Sequence, residues 1–372
     1  MFIENDLSFS QRLAKLNIWL IFLLTCVAGV GVASLYSAAG GTMDPPWASR
    51  HIIRFCVGAF GMIVIALIDI RLWYRLTWPI YFLGLALLII VEVTGRVGMG
   101  AQRWIDLGVI QLQPSELMKI AVVMALARHF HGATPEQARR LTFLIVPAFL
   151  IMTPVALVLL QPDLGTSLMI IMAGAAMVFM AGAPIWLFIG AIVMAAVSVP
   201  IVWQFLHEYQ KQRVRTFLNP ESDPLGAGYH ITQSKIAIGS GGVEGKGFLQ
   251  GTQSHLNFLP EKQTDFIFTL WVEEWGLFGG LLLLCVFLLI FVTGLVTALR
   301  CKHNFGRYLA LGVSVNFSLY VFINIAMVMG LIPVVGAPLP LVSYGGTSML
   351  AALIGFGLMM SCGVYRHSKV TR

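Results

Sequence analysis

Charge is scarce in this sequence. Only 11% of its 372 residues are Asp, Glu, Lys or Arg, against 58% apolar, and mean hydropathy is +0.84. A soluble domain carries roughly a quarter of charged residues, so that class is excluded and an all-α polytopic membrane protein is implied. Cysteine is sparse too. Cys26, Cys56, Cys285, Cys301 and Cys362 show no metal-type spacing such as CxxC, and all fall in apolar spans or on the expected cytoplasmic side, so no disulfide is expected. His207, His230 and His255 match no metal box. No fixed-period repeat or low-complexity tract is present, so no solenoid is expected. The opening MFIENDLSFS lacks a basic n-region, and the apolar run after it is too long for a cleaved signal, so the first helix is expected to be retained. GSGGVEGKGF fails as a phosphate loop. With Gly245 and Lys246 at the GK positions, Ser240 stands where the first glycine must be and Gly247 where Ser or Thr must be. A flexible glycine turn is expected there instead.

Long apolar runs are what the sequence does have. Those near 16–36, 52–70, 76–93, 141–160, 165–183, 185–206, 266–299, 308–331 and 343–365 approach or exceed the roughly 20 residues that cross a bilayer core. A shorter run, 115–130, carries Glu116 and Lys119. Counting it as a tenth crossing, with the N-terminus inside, puts most Lys and Arg on one side, leaving only Arg50, Arg96 and Arg103 in short outer loops. Omitting it inverts every later segment and scrambles that bias. Ten helices with both termini cytoplasmic are therefore expected. The net charge of +7 is accounted for by this topology, so no nucleic-acid partner is expected. The same threading leaves residues 207–265 as one large outer loop between helices seven and eight. Its Gly- and Pro-rich composition predicts turns and short amphipathic pieces without an independent core.

Charges at membrane depth cost roughly 2.5–3.5 kcal/mol each on insertion scales, so each needs a partner or a job. Glu116 and Lys119, three apart, share a helix face and are able to pair, or to line a polar cavity toward which Arg103 also points. Asp163 in QPDLGT is placed to cap a helix beginning at Leu164. Glu273 and Glu274 diverge by about 100 degrees on a helix, so at most one faces a cavity. IPVVGAPLPLVSYGG (332–346) is too irregular for lipid and reads as cavity wall, with Ser343 available as a helix cap. Asp265 ends the large loop just before an apolar helix. It is open as a base, a metal ligand or an N-cap.

Six blocks taken together resemble one family: GAQRWIDLG (100–108), QPSELMKIA (113–121), QPDLGTS (161–167), YQKQRVRTFLNPESDPLGAGYHITQSKIAIGSGG (209–242), GTQSHLNFLPEKQTDFIFTLWVEEWG (251–276) and PLPLVSYGGTS (338–348). The chain looks like a member of the SEDS family (shape, elongation, division and sporulation), nearer its elongation branch than its division branch. The resemblance implies a peptidoglycan glycosyltransferase of the inner membrane that polymerises lipid II, paired with a class B penicillin-binding protein. It implies Asp265 as the catalytic residue, and places Glu116, Lys119, Arg103 and Asp163 in the family's shared motifs. We add Arg50, Glu261 and Ser343 as substrate-binding candidates. Trp271 and Trp275 depart from the family's usual residues and bear on local packing.

The chemistry is consistent with that inventory. A sugar diphosphate leaves as a stable anion, so one carboxylate base and nearby positive charge suffice where a glycosidase needs two carboxyl groups. Lys119, Arg103, Arg50 and the loop cations are candidates for that charge, as is a bound divalent ion such as Mg2+ or Mn2+. No other cofactor is expected. The rival readings are a lipid II flippase and a noncatalytic scaffold that activates the penicillin-binding partner.

Overall fold

A computed structural model of the chain describes residues 8–94, 96–98, 101–106, 111–206, 208–220, 226–255 and 261–370. In order, α1 (Phe9–Ala14), α2 (Ile18–Ala38), α3 (Trp47–Leu67) and α4 (Ile70–Thr94) lead into β1 (Arg96–Gly98), β2 (Ala101–Asp106) and β3 (Gln111–Leu112). Then come α5 (Pro114–His131), α6 (Pro135–Ala138), α7 (Leu141–Leu160), α8 (Leu164–Met180) and α9 (Ile185–Phe205). The chain continues through α10 (Glu208–Leu218), α11 (Ala227–Ser240), α12 (Thr252–His255), α13 (Ile267–Arg300), α14 (Asn304–Val328) and α15 (Gly346–Val364).

Among the described residues, eight helices are long and apolar enough to cross a membrane: α2, α3, α4, α7, α9, α13, α14 and α15. Side chains cap several starts. Asn17 accepts from Leu20 N at 3.1 Å, and His303 Nδ1 accepts from Gly306 N at 2.9 Å. The short strands form an antiparallel meander, β1-β2-β3, which the apolar periodicity did not announce. It leads directly into α5.

Burial is distributed against hydropathy. α5 packs against α4, α7, α8, α14 and α15, and Ser115, Glu116 and Lys119 are all buried within it. α9 is apolar apart from Ser198 and Gln204, yet none of its residues is buried. Without water in the bilayer, an apolar helix gains nothing by leaving lipid, whereas charges must be enclosed by protein.

α13 is two helices joined at a break. Gly276 sits at φ 63, ψ −163, so a short buried helix precedes the long span, as the run 266–299 predicts for an interfacial turn followed by a crossing. The break frees backbone groups that lipid would not satisfy. Residues 242–247 satisfy them: Lys246 N and Gly247 N donate to Glu273 O and Glu274 O at 3.1 and 3.0 Å, and Leu277 N donates to Gly242 O at 3.0 Å. A Cβ on Gly245, which sits at φ 85, would lie 2.1 Å from Glu274 O. The glycine-rich stretch is thus a docked clamp rather than the flexible turn expected from composition. Trp271 and Trp275 stack at 5.1 Å before the break, and Trp271 Nε1 donates to Gly279 O at 2.9 Å across it.

Candidate active site

The site grows from one face of α14. Tyr320 and Asn324 are four residues apart and so stack one turn above the other. The Tyr320 hydroxyl donates to Glu116, with Oε1 at 2.6 Å and Oε2 at 2.7 Å. Lys119 Nζ lies 2.7 Å from Glu116 Oε1 and 4.1 Å from the Tyr320 ring centroid. The expected i,i+3 pair is therefore formed, buried, and closed by a third group. Asn324 Nδ2 donates to Asp265 O at 2.9 Å and to Ala337 O at 2.7 Å. It ties the Asp265 turn and the irregular segment before α15 to the same helix.

Asp163 does two things at once. It caps α8, accepting from Thr166 N at 3.1 Å, and it faces Arg103 Nε at 3.5 Å. Arg103 also donates to Pro162 O at 2.9 Å. The meander thereby holds a cation over the start of α8, beside the Glu116 and Lys119 cluster on whose ammonium Asp163 acts electrostatically.

Residues 261–266 form a tight turn opened by Glu261 at φ 56, an uncommon conformation for a non-glycine residue. Glu261 O accepts from Thr264 N at 3.0 Å, and its carboxylate accepts from Thr264 Oγ1 at 3.0 Å. The N-cap of α13 is Phe266, with no side-chain cap, so Asp265 is not the N-cap that its position before Phe266 allows. Ser343 is no cap either. α15 has Gly345 as its N-cap, while Ser343 Oγ donates to Thr264 O at 2.6 Å and accepts from Leu339 N at 2.8 Å. Ser343 fastens the wall segment to the Asp265 turn.

Asp265 itself is half-buried, and among the described residues no donor bonds its carboxylate. Gly336, whose φ of 74 favours glycine, lies beside the Asp265 Oδ2. Burial pushes its pKa up to about 6, and the nearby Glu261 charge adds to this while Arg213 opposes it. Arg213, on α10, donates to Val334 O at 3.1 Å. The arrangement is a carboxylate poised to take a proton, with a cation alongside.

Arg50 is exposed on the first turn of α3 and makes no ion pair among the described residues. The neighbouring turn approaches the wall, with Arg54 stacked on Tyr344 at 4.8 Å and His51 Nε2 3.0 Å from Leu341 O. Glu273 and Glu274 are both buried and engaged. Glu273 accepts from Lys246 Nζ and Gln253 N, each at 2.8 Å, and Glu274 accepts from Ser37 Oγ. Among the described residues no three His, Cys, Asp or Glu side chains gather as a metal site. His207 and the side chain of His255 lie outside the described residues. Tyr320, Asn324 and Arg213 were not anticipated. Tyr320 and Asn324 carried a readable signal as polar groups four apart in an apolar run; Arg213 was one loop cation among several.

A profile of the FtsW/RodA/SpoVE family, described as cell cycle proteins, matches residues 14–368. The chain is 45% identical over 354 residues to the peptidoglycan glycosyltransferase MrdB of Escherichia coli K12, covering 94% of each. It is 36% identical over 361 residues to a probable peptidoglycan glycosyltransferase FtsW of Trichlorobacter lovleyi, covering 94% of this chain and 93% of that one. Among solved structures, one from a study of polymerization and crosslinking by a peptidoglycan synthase complex superposes with a TM-score of 0.84 at 32% identity, covering 95% and 99% of the two chains. Rod shape determining protein RodA of Thermus thermophilus superposes at 0.72 with 29% identity, covering 95% and 98%.

Proposed function

This chain belongs to the FtsW/RodA/SpoVE family and is a peptidoglycan glycosyltransferase, and from that premise we propose that Asp265 is the general base that extends glycan strands from lipid II. The observation that carries the assignment is a half-buried carboxylate with no donor among the described residues, held at the start of a membrane helix by Asn324 and Ser343. Such a boundary is where the headgroup of a lipid-linked diphosphate lies.

In the proposed step Asp265 takes the proton of an acceptor sugar hydroxyl whose oxygen attacks the anomeric carbon of a second sugar. The new C–O bond forms as the bond from that carbon to the diphosphate oxygen breaks, and the lipid diphosphate departs with the electron pair. Arg213 lies beside the base, and Arg103 and Lys119 lie along the same wall to receive negative charge. Glu116 and Tyr320 hold the Lys119 ammonium in place. Among the described residues a divalent ion such as Mg2+ or Mn2+ would meet only the Asp265 and Glu261 carboxylates here, so it would come with the diphosphate and neutralise it.

The finer topology is part of the same proposal. α5 spans about 27 Å at 1.5 Å per residue, and with α8 it brings the crossings to ten. Charge bias then puts both termini in the cytoplasm and the active site on the outer face of the inner membrane. A crosslinking partner of the class B penicillin-binding type fits the likeness to the synthase-complex chain. The test is polymerisation of lipid II by purified Asp265→Asn protein, with and without chelator. Loss of product by a folded variant is expected; full retention would leave only a supporting role for this turn.

A further inference from the structure

At the end of the bundle opposite Asp265, where α2 begins and α13 and α15 finish, a groove of about 430 Å³ opens. That volume falls within the range of small-molecule sites. Its rim carries Lys15, Arg300 and Arg366, and among the described residues no Asp or Glu lines it. All three cations are exposed, and none forms an ion pair among the described residues. Lys15 and Arg366 are close enough to Lys302 and His367 for their charges to act together on that imidazole. Beside these cations the groove has an apolar strip of Trp19, Val292 and Met359, interrupted by Asn17, Thr293 and Thr297.

We infer that this groove binds an anionic glycerophospholipid, its phosphate among Lys15, Arg300 and Arg366 and an acyl chain along Trp19, Val292 and Met359. Two observations point to that occupant over a soluble anion or an acidic peptide. The positive rim and apolar strip adjoin, so one ligand must be charged at one end and oily at the other. The apolar strip also belongs to helices long and apolar enough to cross a membrane, with Val292 and Met359 about two turns before Arg300 and Arg366. Basic pockets between transmembrane helices are a recurring form of anionic-lipid site. The three cations are absent from the Asp265 wall, so lipid capture is separable from glycan polymerisation.

The experiment is native mass spectrometry of the intact protein released from vesicles of phosphatidylglycerol mixed with phosphatidylcholine. Wild type is expected to retain phosphatidylglycerol selectively. Each of Lys15→Gln, Arg300→Gln and Arg366→Gln is expected to lower retention about five-fold, since one basic residue near an anionic surface is worth about that factor. Equal retention of the two lipids, or unchanged retention by the triple variant, overturns the inference. Photoactivatable phosphatidylglycerol on wild-type protein gives a second reading that needs no variant. Labelling of Val292 or Met359 is expected, and labelling confined to other faces overturns it. An acidic peptide that displaces the headgroup while leaving no lipid label on the wall overturns it too.

Discussion

Asp265 and the Glu273–Glu274 pair stand within ten residues of each other in one segment, and the structure treats them oppositely. Asp265 keeps its side chain clear of donors among the described residues while its backbone is pinned by Asn324. Glu273 accepts from Lys246 and Gln253, and Glu274 accepts from Ser37. The Glu273 side chain and the backbone carbonyls of both residues hold the glycine-rich stretch over the break in α13, while the Glu274 side chain reaches α2. Proximity to a membrane helix therefore says little about a carboxylate's role, and its donors say much more. A base must keep lone pairs available, whereas a clamp uses them up.

The contrast is sharpest in activity. Asp265→Asn is expected to cut polymerisation by about 10²–10⁴-fold, the usual worth of a general base, with the melting temperature of the purified protein unchanged. A large drop in thermal stability instead would make Asp265 structural like its neighbours. Glu273→Ala should behave the other way, costing about 1–3 kcal/mol by leaving the Lys246 and Gln253 donors unmatched. Thermal unfolding and protease cleavage within 241–255 would register it, and Glu273→Gln should recover part of the loss.

Gly245→Ala probes the same clamp from the backbone side. At φ 85, with its new Cβ 2.1 Å from Glu274 O, it is expected to cost about 1–3 kcal/mol and to expose the stretch to protease. An unchanged digestion pattern would mean the clamp is dispensable. The smallest effect is in pH. Asp265 must be ionised to accept a proton, and its pKa is raised to about 6, so activity is retained above that value and falls as pH drops through it. About half the rate should remain at about pH 6, where half the carboxylates are ionised. A midpoint near about 4, the ordinary carboxylate value, would show that the group is neither buried nor influenced by Glu261 in the working enzyme.

Much of the candidate site was legible in the sequence because intramembrane charge is so expensive. Glu116, Lys119, Arg103 and Asp163 stood out as groups needing partners, and the structure brings them to one wall. Ser343 was legible as important but not in its role, since a serine before a helix suits a cap equally well. Arg50 rests on charge alone, and Arg54, one turn on, meets Tyr344. Tyr320 and Asn324 were legible as polar groups four apart in an apolar run, but their partners were not. Side-chain spacing says which residues share a face but not which helix that face will meet.

By itself, the sequence determined the membrane class, the apolar spans and the family, because each follows from local composition or from motifs read along the chain. Only the tertiary structure decided that Glu116 has Tyr320 as well as Lys119, that Gly242 to Gly247 closes a broken helix, and that Asp265 is spared from capping. Those outcomes depend on contacts between residues far apart in the chain. Their energies exist only once the helices have packed and water and lipid have been excluded from between them.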